Sequence, residues 1–204
     1  MYPFNPTKQK VQTDVKSIVA DQGFIANLAW TAAETVASDT DGIFDGIATS
    51  TSKKTTATPS DQTFVAQPPC ARNITVKVAA STAGNIAEGT VKVTGTNIAN
   101  EEITETFTFA ADTAATKTGS KAFKTVTSVE IPVQDGTGVT FDVGFGELLG
   151  LPYKLSLARL LCAFNDGVAD SDVTSAVSAS AIESNTIDFG GSLDGSVLEL
   201  SLII

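Results

Sequence analysis

The 204-residue chain has 23 acidic and 13 basic residues, a formal net charge of −10, and no histidine. The missing imidazole excludes Ser-His-Asp and Cys-His catalysis and histidine-based metal ligation, and the acidic balance argues against a nucleic-acid partner. Threonine contributes 28 residues, and this β-branched side chain favours strands. The composition therefore predicts an all-β, non-catalytic protein.

Residues 1–20 have the composition of an extended arm. Two prolines disfavour regular structure, and Lys8, Lys10 and Lys16 make the segment locally basic on an acidic protein. We take these three lysines as candidate interface residues. The segment lacks the apolar centre of a signal peptide, and the sequence contains no run of about 20 apolar residues, so we expect synthesis in the cytoplasm and no membrane partner.

Residues 15–37 give an ambiguous pattern. Phe24, Leu28 and Ala32 have helical spacing, whereas Gly23 and several threonines weaken a helix. We predict either a short helix or an irregular packed segment here.

Residues 48–61, ATSTSKKTTATPSD, have few apolar residues and many Ser and Thr residues, which is typical of a linker or a long exposed loop. We therefore place a boundary here. Residues 1–61 are predicted to form the arm, a packed segment and the linker, and residues 62–204 a β-sandwich domain.

Beyond residue 61 the pattern has period two, and clusters of Gly, Asn and Asp separate the apolar runs. Short strands at this spacing predict an antiparallel β-sandwich or jelly-roll-like domain. An irregularity in KAFKTVTSVEI indicates a bulge. Residues 153–164 suit a short helix or a buried strand, and the all-β context favours the strand. The predicted core anchors are Trp30, Phe64, Ile74, Val76, Phe107, Phe109, Phe123, Phe141, Leu157 and Leu160.

Two acidic clusters are the candidate chemical sites. Paired carboxylates such as Glu101, Glu102 and Glu105 can hydrolyse glycosides, but the sequence offers few aromatic residues for a sugar platform, and a solvated strand end is the better interpretation. Asp166, Asp170 and Asp172 beside Asn165 could hold Ca²⁺, although their spacing does not match an EF-hand. We predict no catalytic residues and no cofactor, and we leave the cation open.

Two further features have structural interpretations. The run GFGELLG at residues 144–150 fails as a dinucleotide fingerprint because its third glycine is misplaced and Pro152 follows, so we predict a bulge or a corner turn. Cys70 and Cys162 lack nearby ligand partners and are predicted to be buried thiols, with a disulfide as the alternative.

The charges are distributed unevenly along the chain. No basic residue follows Arg159, whereas seven acidic residues do. This polarity suits ordered association, in which a basic arm or face of one subunit meets an acidic face of another. The alternative is that the acids only maintain solubility.

Several stretches together resemble a β-rich module of tailed-bacteriophage virion proteins. They are PPCARNITVKVA, GTVKVTGTNIANEEITETFTF, GSKAFKTVTSVEIP, VGFGELLGLPYKL and AIESNTIDFGGSLDGSVLELSLII, within residues 62–204. The resemblance implies a non-enzymatic structural protein of the virion, and a head decoration or capsid-stabilising protein is the first choice. The implied partners are the major capsid protein or other virion subunits, together with further copies of the chain in a homo-oligomer. The alternatives are a tail or neck subunit and a carbohydrate-binding surface module.

Overall fold

The computed structural model describes residues 24–204, which form fourteen β-strands and two three-residue 3-10 turns at 83–85 and 182–184. The strands are β1 (Ile25–Trp30), β2 (Asp39–Ala48), β3 (Thr55–Ala57), β4 (Arg72–Ala80), β5 (Gly89–Thr96), β6 (Glu102–Phe109), β7 (Ala115–Phe123), β8 (Thr125–Ile131), β9 (Val139–Gly150), β10 (Leu160–Asn165), β11 (Val168–Ala169), β12 (Thr174–Ala176), β13 (Thr186–Asp188) and β14 (Leu198–Ile203). The predicted all-β fold is confirmed.

The strands form three antiparallel sheets. We call β3-β8-β5-β6 the outer sheet, β12-β13-β9-β4-β7 with β2 paired to β9 the central sheet, and β1-β14-β10-β11 the terminal sheet. The outer and central sheets enclose the larger core. Phe109 of the outer sheet meets Phe141 of the central sheet edge to face, with ring centroids 5.6 Å apart. The two sheets therefore form the sandwich that the sequence predicts.

Along β6, the side chains alternate between the core and the solvent. Ile103, Phe107 and Phe109 are buried, whereas Thr106 and Thr108 are exposed. Since successive side chains of a strand point to opposite faces, the threonines supply the solvent face of a strand that is half buried.

The predicted bulge is also present: β5 pairs through Thr94 with Ser128 and through Gly95 with Val126, which leaves one extra residue in β8.

A smaller core lies between the terminal sheet and the end of the central sheet. Trp30 meets Phe189 edge to face at 6.0 Å, and Leu149, Leu198 and Leu202 are buried around them. Most of the predicted core anchors lie in one core or the other. Phe64 and Leu160 are partly buried, and Leu157 is a wrong prediction because its side chain is 56% exposed.

Residues 25–61 are integrated into the three sheets. β1 pairs with β14, β2 with β9, and β3 with β8, so every strand in this segment is joined to a strand beyond residue 61. The segment 48–61, interpreted as a linker, contains β3 and places Ala57 in the larger core. Residues 25–30, for which a short helix was one expectation, form strand β1 instead.

Candidate interaction surface

The three candidate interface lysines, Lys8, Lys10 and Lys16, lie outside the described residues. The described chain begins at Phe24, next to the C-terminal strand. Phe24 donates its backbone N–H to the Ile204 carbonyl at 3.1 Å and accepts from the Ile204 N–H at 2.9 Å. Phe24 therefore lies at the end of the terminal sheet, beside Ile204.

The glutamates of the first acidic cluster do not form a catalytic pair. Glu105 accepts hydrogen bonds from the backbone N–H groups of Ser120 at 2.8 Å and Lys121 at 3.4 Å, and so ties β6 to β7. Glu101 accepts from the Asn97 amide at 3.0 Å within its own turn, and Glu102 is exposed. Two of the three carboxylates are thus engaged in local structure.

The aspartates of the second cluster shape their loop. Asp166 Oδ1 accepts from the Val197 N–H at 2.7 Å, and Asp170 Oδ1 from the Asp172 N–H at 2.9 Å. The second bond is an Asx turn, which such loops form without a metal. Within residues 24–204, no three Cys, Asp or Glu side chains converge as a potential metal site.

Residues 144–150 form part of β9 and contain the predicted bulge. Arg72 pairs with Leu149 but Ile74 pairs with Phe145, so β9 carries two extra residues at this point. The buried Asn73 side chain spans the irregularity: its Oδ1 accepts from the Leu148 N–H, and its Nδ2 donates to the Gly119 carbonyl, both at 2.9 Å. The glycine-rich run is therefore structural, since its distorted backbone is held by neighbouring strands.

Arg72 is a fully buried arginine beside this bulge. Its Nε donates to the Gly146 carbonyl and its Nη1 to the Val36 carbonyl, each at 2.7 Å. The guanidinium carbon lies 4.7 Å from the centroid of the Phe145 ring, a cation–π contact. Burial lowers the pKa of Arg72, because a low-dielectric environment disfavours the charged form. The side chain joins the bulge of β9 to the segment after β1.

The acidic residues that follow Arg159 are all accessible to solvent. Asp166, Asp172, Asp194 and Glu199 are exposed, and Asp170, Glu183 and Asp188 are partly exposed. Glu199 lies on the terminal sheet, and Asp166 lies beside it, where it accepts a hydrogen bond from Val197. The uneven charge of the sequence therefore corresponds to accessible acidic groups in the folded body.

The face of the terminal sheet that points away from the smaller core is open and partly apolar. Ile25 in β1 is 65% exposed and Leu161 in β10 is 50% exposed. A depression of about 270 Å³ on this sheet is lined by residues that include Asn27, Phe164 and Glu199. Exposed apolar residues that cluster on one sheet are typical of an interaction surface.

The sequence alone did not predict this surface, although it contains the apolar, uncharged segments IANLAW and LLCAF.

In β10, a register shift between Leu160 and Cys162 leaves both Leu161 and Cys162 exposed. The prediction of Cys162 as a buried thiol is therefore wrong. Cys70 is partly buried, and both cysteines are free thiols.

The two cysteines should differ in reactivity. Burial raises the pKa of the Cys70 thiol to about 11, so roughly one molecule in a thousand carries the thiolate at pH 8. We expect iodoacetamide to modify the exposed Cys162 at least about 100-fold faster than Cys70 in the native protein, as read by peptide mass spectrometry. Equal rates in urea provide the control, and equal rates in the native protein would contradict the burial of Cys70.

Among residues 24–204, no helix reaches the length and apolar character of a membrane-crossing segment. No protein-family model matches the chain, and no curated protein or solved structure matches it either.

Proposed function

We propose that this chain is a non-enzymatic structural subunit of a tailed-phage particle, made in the host cytoplasm and assembled into the virion. Within the particle we assign it to the head, as a decoration or capsid-stabilising protein. The resemblance of residues 62–204 to virion modules supports the first assignment. The observation that carries the second is a β-sandwich body that is preceded in the sequence by a locally basic segment.

The distribution of charge along the chain indicates which part of it would bind the capsid. Residues 24–204 contain 21 acidic and ten basic residues, whereas residues 1–23 contain Lys8, Lys10 and Lys16 against two aspartates. An acidic body is repelled by other acidic surfaces, so a locally basic segment provides the favourable contact. In the proposed assembly the arm binds the major capsid protein and the body projects from the shell.

The engaged carboxylates support a structural role. Glu105 holds β7, and Asp142 forms a 2.9 Å salt bridge with Lys77 while accepting a 2.9 Å hydrogen bond from the Gly46 N–H. The side-chain hydrogen bond from Lys77 to Asp142 raises the pKa of Lys77. These charged side chains therefore link neighbouring strands, and such links stiffen a β-sandwich, as a structural component of a particle requires.

Capsid binding should depend on the arm lysines. The variant with Lys8, Lys10 and Lys16 all changed to glutamate is expected to lose at least about tenfold in affinity for heads that lack this protein, because each attraction becomes a repulsion. Cosedimentation with such heads measures the bound fraction. The matched control changes the exposed Lys53, Lys54 and Lys117 to glutamate and should bind as the unmodified chain does.

Full occupancy of heads by the arm variant would show that the arm is not the binding element. If the unmodified chain fails to bind heads but polymerises into rings or tubes in negative-stain images, the tail or neck assignment would replace the head assignment. Saturable glycan binding would instead support the carbohydrate-binding alternative.

A further inference from the structure

Strand β1 presents an open edge. Phe24 and Ile204 exchange both of their backbone hydrogen bonds, and in an antiparallel ladder such pairs recur at every second residue. The peptide groups of Ala26, Leu28 and Trp30 therefore face β14, and those of Ile25, Asn27 and Ala29 point to the other side of β1. Within residues 24–204, no strand pairs with that side.

The other sheet edges of the described chain are protected against strand addition. β3, β11 and β12 have only two or three residues. The part of β10 that β11 leaves uncovered contains the register shift between Leu160 and Cys162, an irregularity that disfavours regular pairing. The longer edge strands contain charged residues: Asp39, Asp41 and Asp45 in β2, Glu102 and Glu105 in β6, and Lys117 and Lys121 in β7. Short length and charge are the usual means by which proteins prevent edge pairing.

β1 has neither form of protection. Its sequence IANLAW has six residues, no charge and no proline. Two copies of a chain with a net charge of −10 repel each other, so a stable contact between them needs an uncharged strip of surface. Among the long edges described above, β1 provides this strip.

We propose that β1 pairs antiparallel with β1 of a second copy, about a twofold axis at Asn27, and so joins two terminal sheets into one continuous sheet. The outward-facing residues 25, 27 and 29 are symmetric about Asn27. The twofold arrangement therefore places Ile25 opposite Ala29 of the second copy and Asn27 opposite its counterpart. All three outward-facing residues then form hydrogen-bonded pairs.

The side chains are complementary in this register on both faces of the sheet. On the open face, the large Ile25 lies beside the small Ala29 of the second copy. On the opposite face, Leu28 lies beside Ala26. This self-complementarity is why the occupant is a second copy rather than another protein.

Sedimentation velocity over a range of concentrations tests the pairing with the full-length chain. We expect the unmodified protein to form dimers, or oligomers built from dimers. Asn27→Lys should weaken association at least about tenfold, because it places two like charges opposite each other at the axis. The control is Thr106→Lys, which adds the same charge at an exposed position of the outer sheet, away from the terminal sheet.

A monomer at roughly 100 μM, a concentration that detects even weak self-association, would overturn the proposal. So would an Asn27→Lys variant that associates as tightly as the unmodified chain, since association would then use another surface. These outcomes are independent of the proposed virion function, because a chain that never binds a head can still dimerise.

Cross-linking provides a second measurement, independent of how Asn27→Lys folds. In a Cys162→Ser background, Asn27→Cys should be joined to its counterpart in the second copy by a short bismaleimide reagent, since the two paired Cα atoms lie about 5.5 Å apart. Thr106→Cys, at an exposed position on the edge strand β6, should remain monomeric under the same conditions. Equal cross-linking of the two variants would contradict the predicted register.

Discussion

Arg72→Ala is expected to lower the free energy of unfolding by about 3–5 kcal/mol. Arg72 is fully buried, and its loss leaves the carbonyls of Val36 and Gly146 without their 2.7 Å hydrogen bonds. It also removes the contact with the Phe145 ring and leaves an unfilled volume beside the bulge of β9. Urea unfolding followed by circular dichroism gives the value.

Two further substitutions separate the contributions to this effect. Arg72→Met keeps most of the side-chain volume but not the hydrogen bonds, so we expect a smaller loss of about 1–3 kcal/mol. Arg159→Ala alters an exposed arginine and should change stability by no more than about 0.5 kcal/mol. If Arg72→Ala costs no more than Arg159→Ala, the buried guanidinium is not a structural tie.

Phe107→Ala is expected to cost about 3–5 kcal/mol, the range for removing a buried aromatic side chain. Phe107 is 4% exposed and lies in the core between the outer and central sheets. Thr106→Ala, on the exposed face of the same strand, should have little effect and serves as the control. A loss below about 1 kcal/mol for Phe107→Ala in denaturant unfolding would show that this face of β6 does not line the core.

The sandwich was predictable because its strands are half buried. Alternation of Phe and Thr along β6 is a direct consequence of one face toward the core and one toward water. The position of β1 was not predictable in the same way. Phe24, Leu28 and Ala32 are four residues apart, and a spacing of four places residues on one face of a strand as well as of a helix. The interval therefore could not distinguish the two.

The errors at Leu157 and Cys162 have a different origin. Both lie in the apolar segment 153–164, where continuous hydrophobicity does not reveal which residues face the core. The strand begins only at Leu160, and Leu157 lies in the irregular segment before it. The register shift at the start of β10 then exposes Leu161 and Cys162 together. Such irregularities depend on pairing with β14, which is distant in the sequence.

For the candidate interaction surface, only the acidic character could be predicted from the sequence. The concentration of acids after Arg159 was visible in the sequence, and the structure places those residues where solvent reaches them. The open edge of β1 could not be predicted, because an edge is defined by the absence of a neighbouring strand. That property emerges from the order of strands in the sheet.

The proposed function depends on whether the chain coats assembled phage heads. The most direct measurement is the number of copies bound per head after incubation with heads that lack the protein, determined by quantitative mass spectrometry and cryo-electron microscopy. We predict saturation at a multiple of the capsid lattice number for the unmodified chain, and strongly reduced occupancy when Lys8, Lys10 and Lys16 are changed to glutamate. Failure of the unmodified chain to bind heads at any concentration would contradict the head assignment.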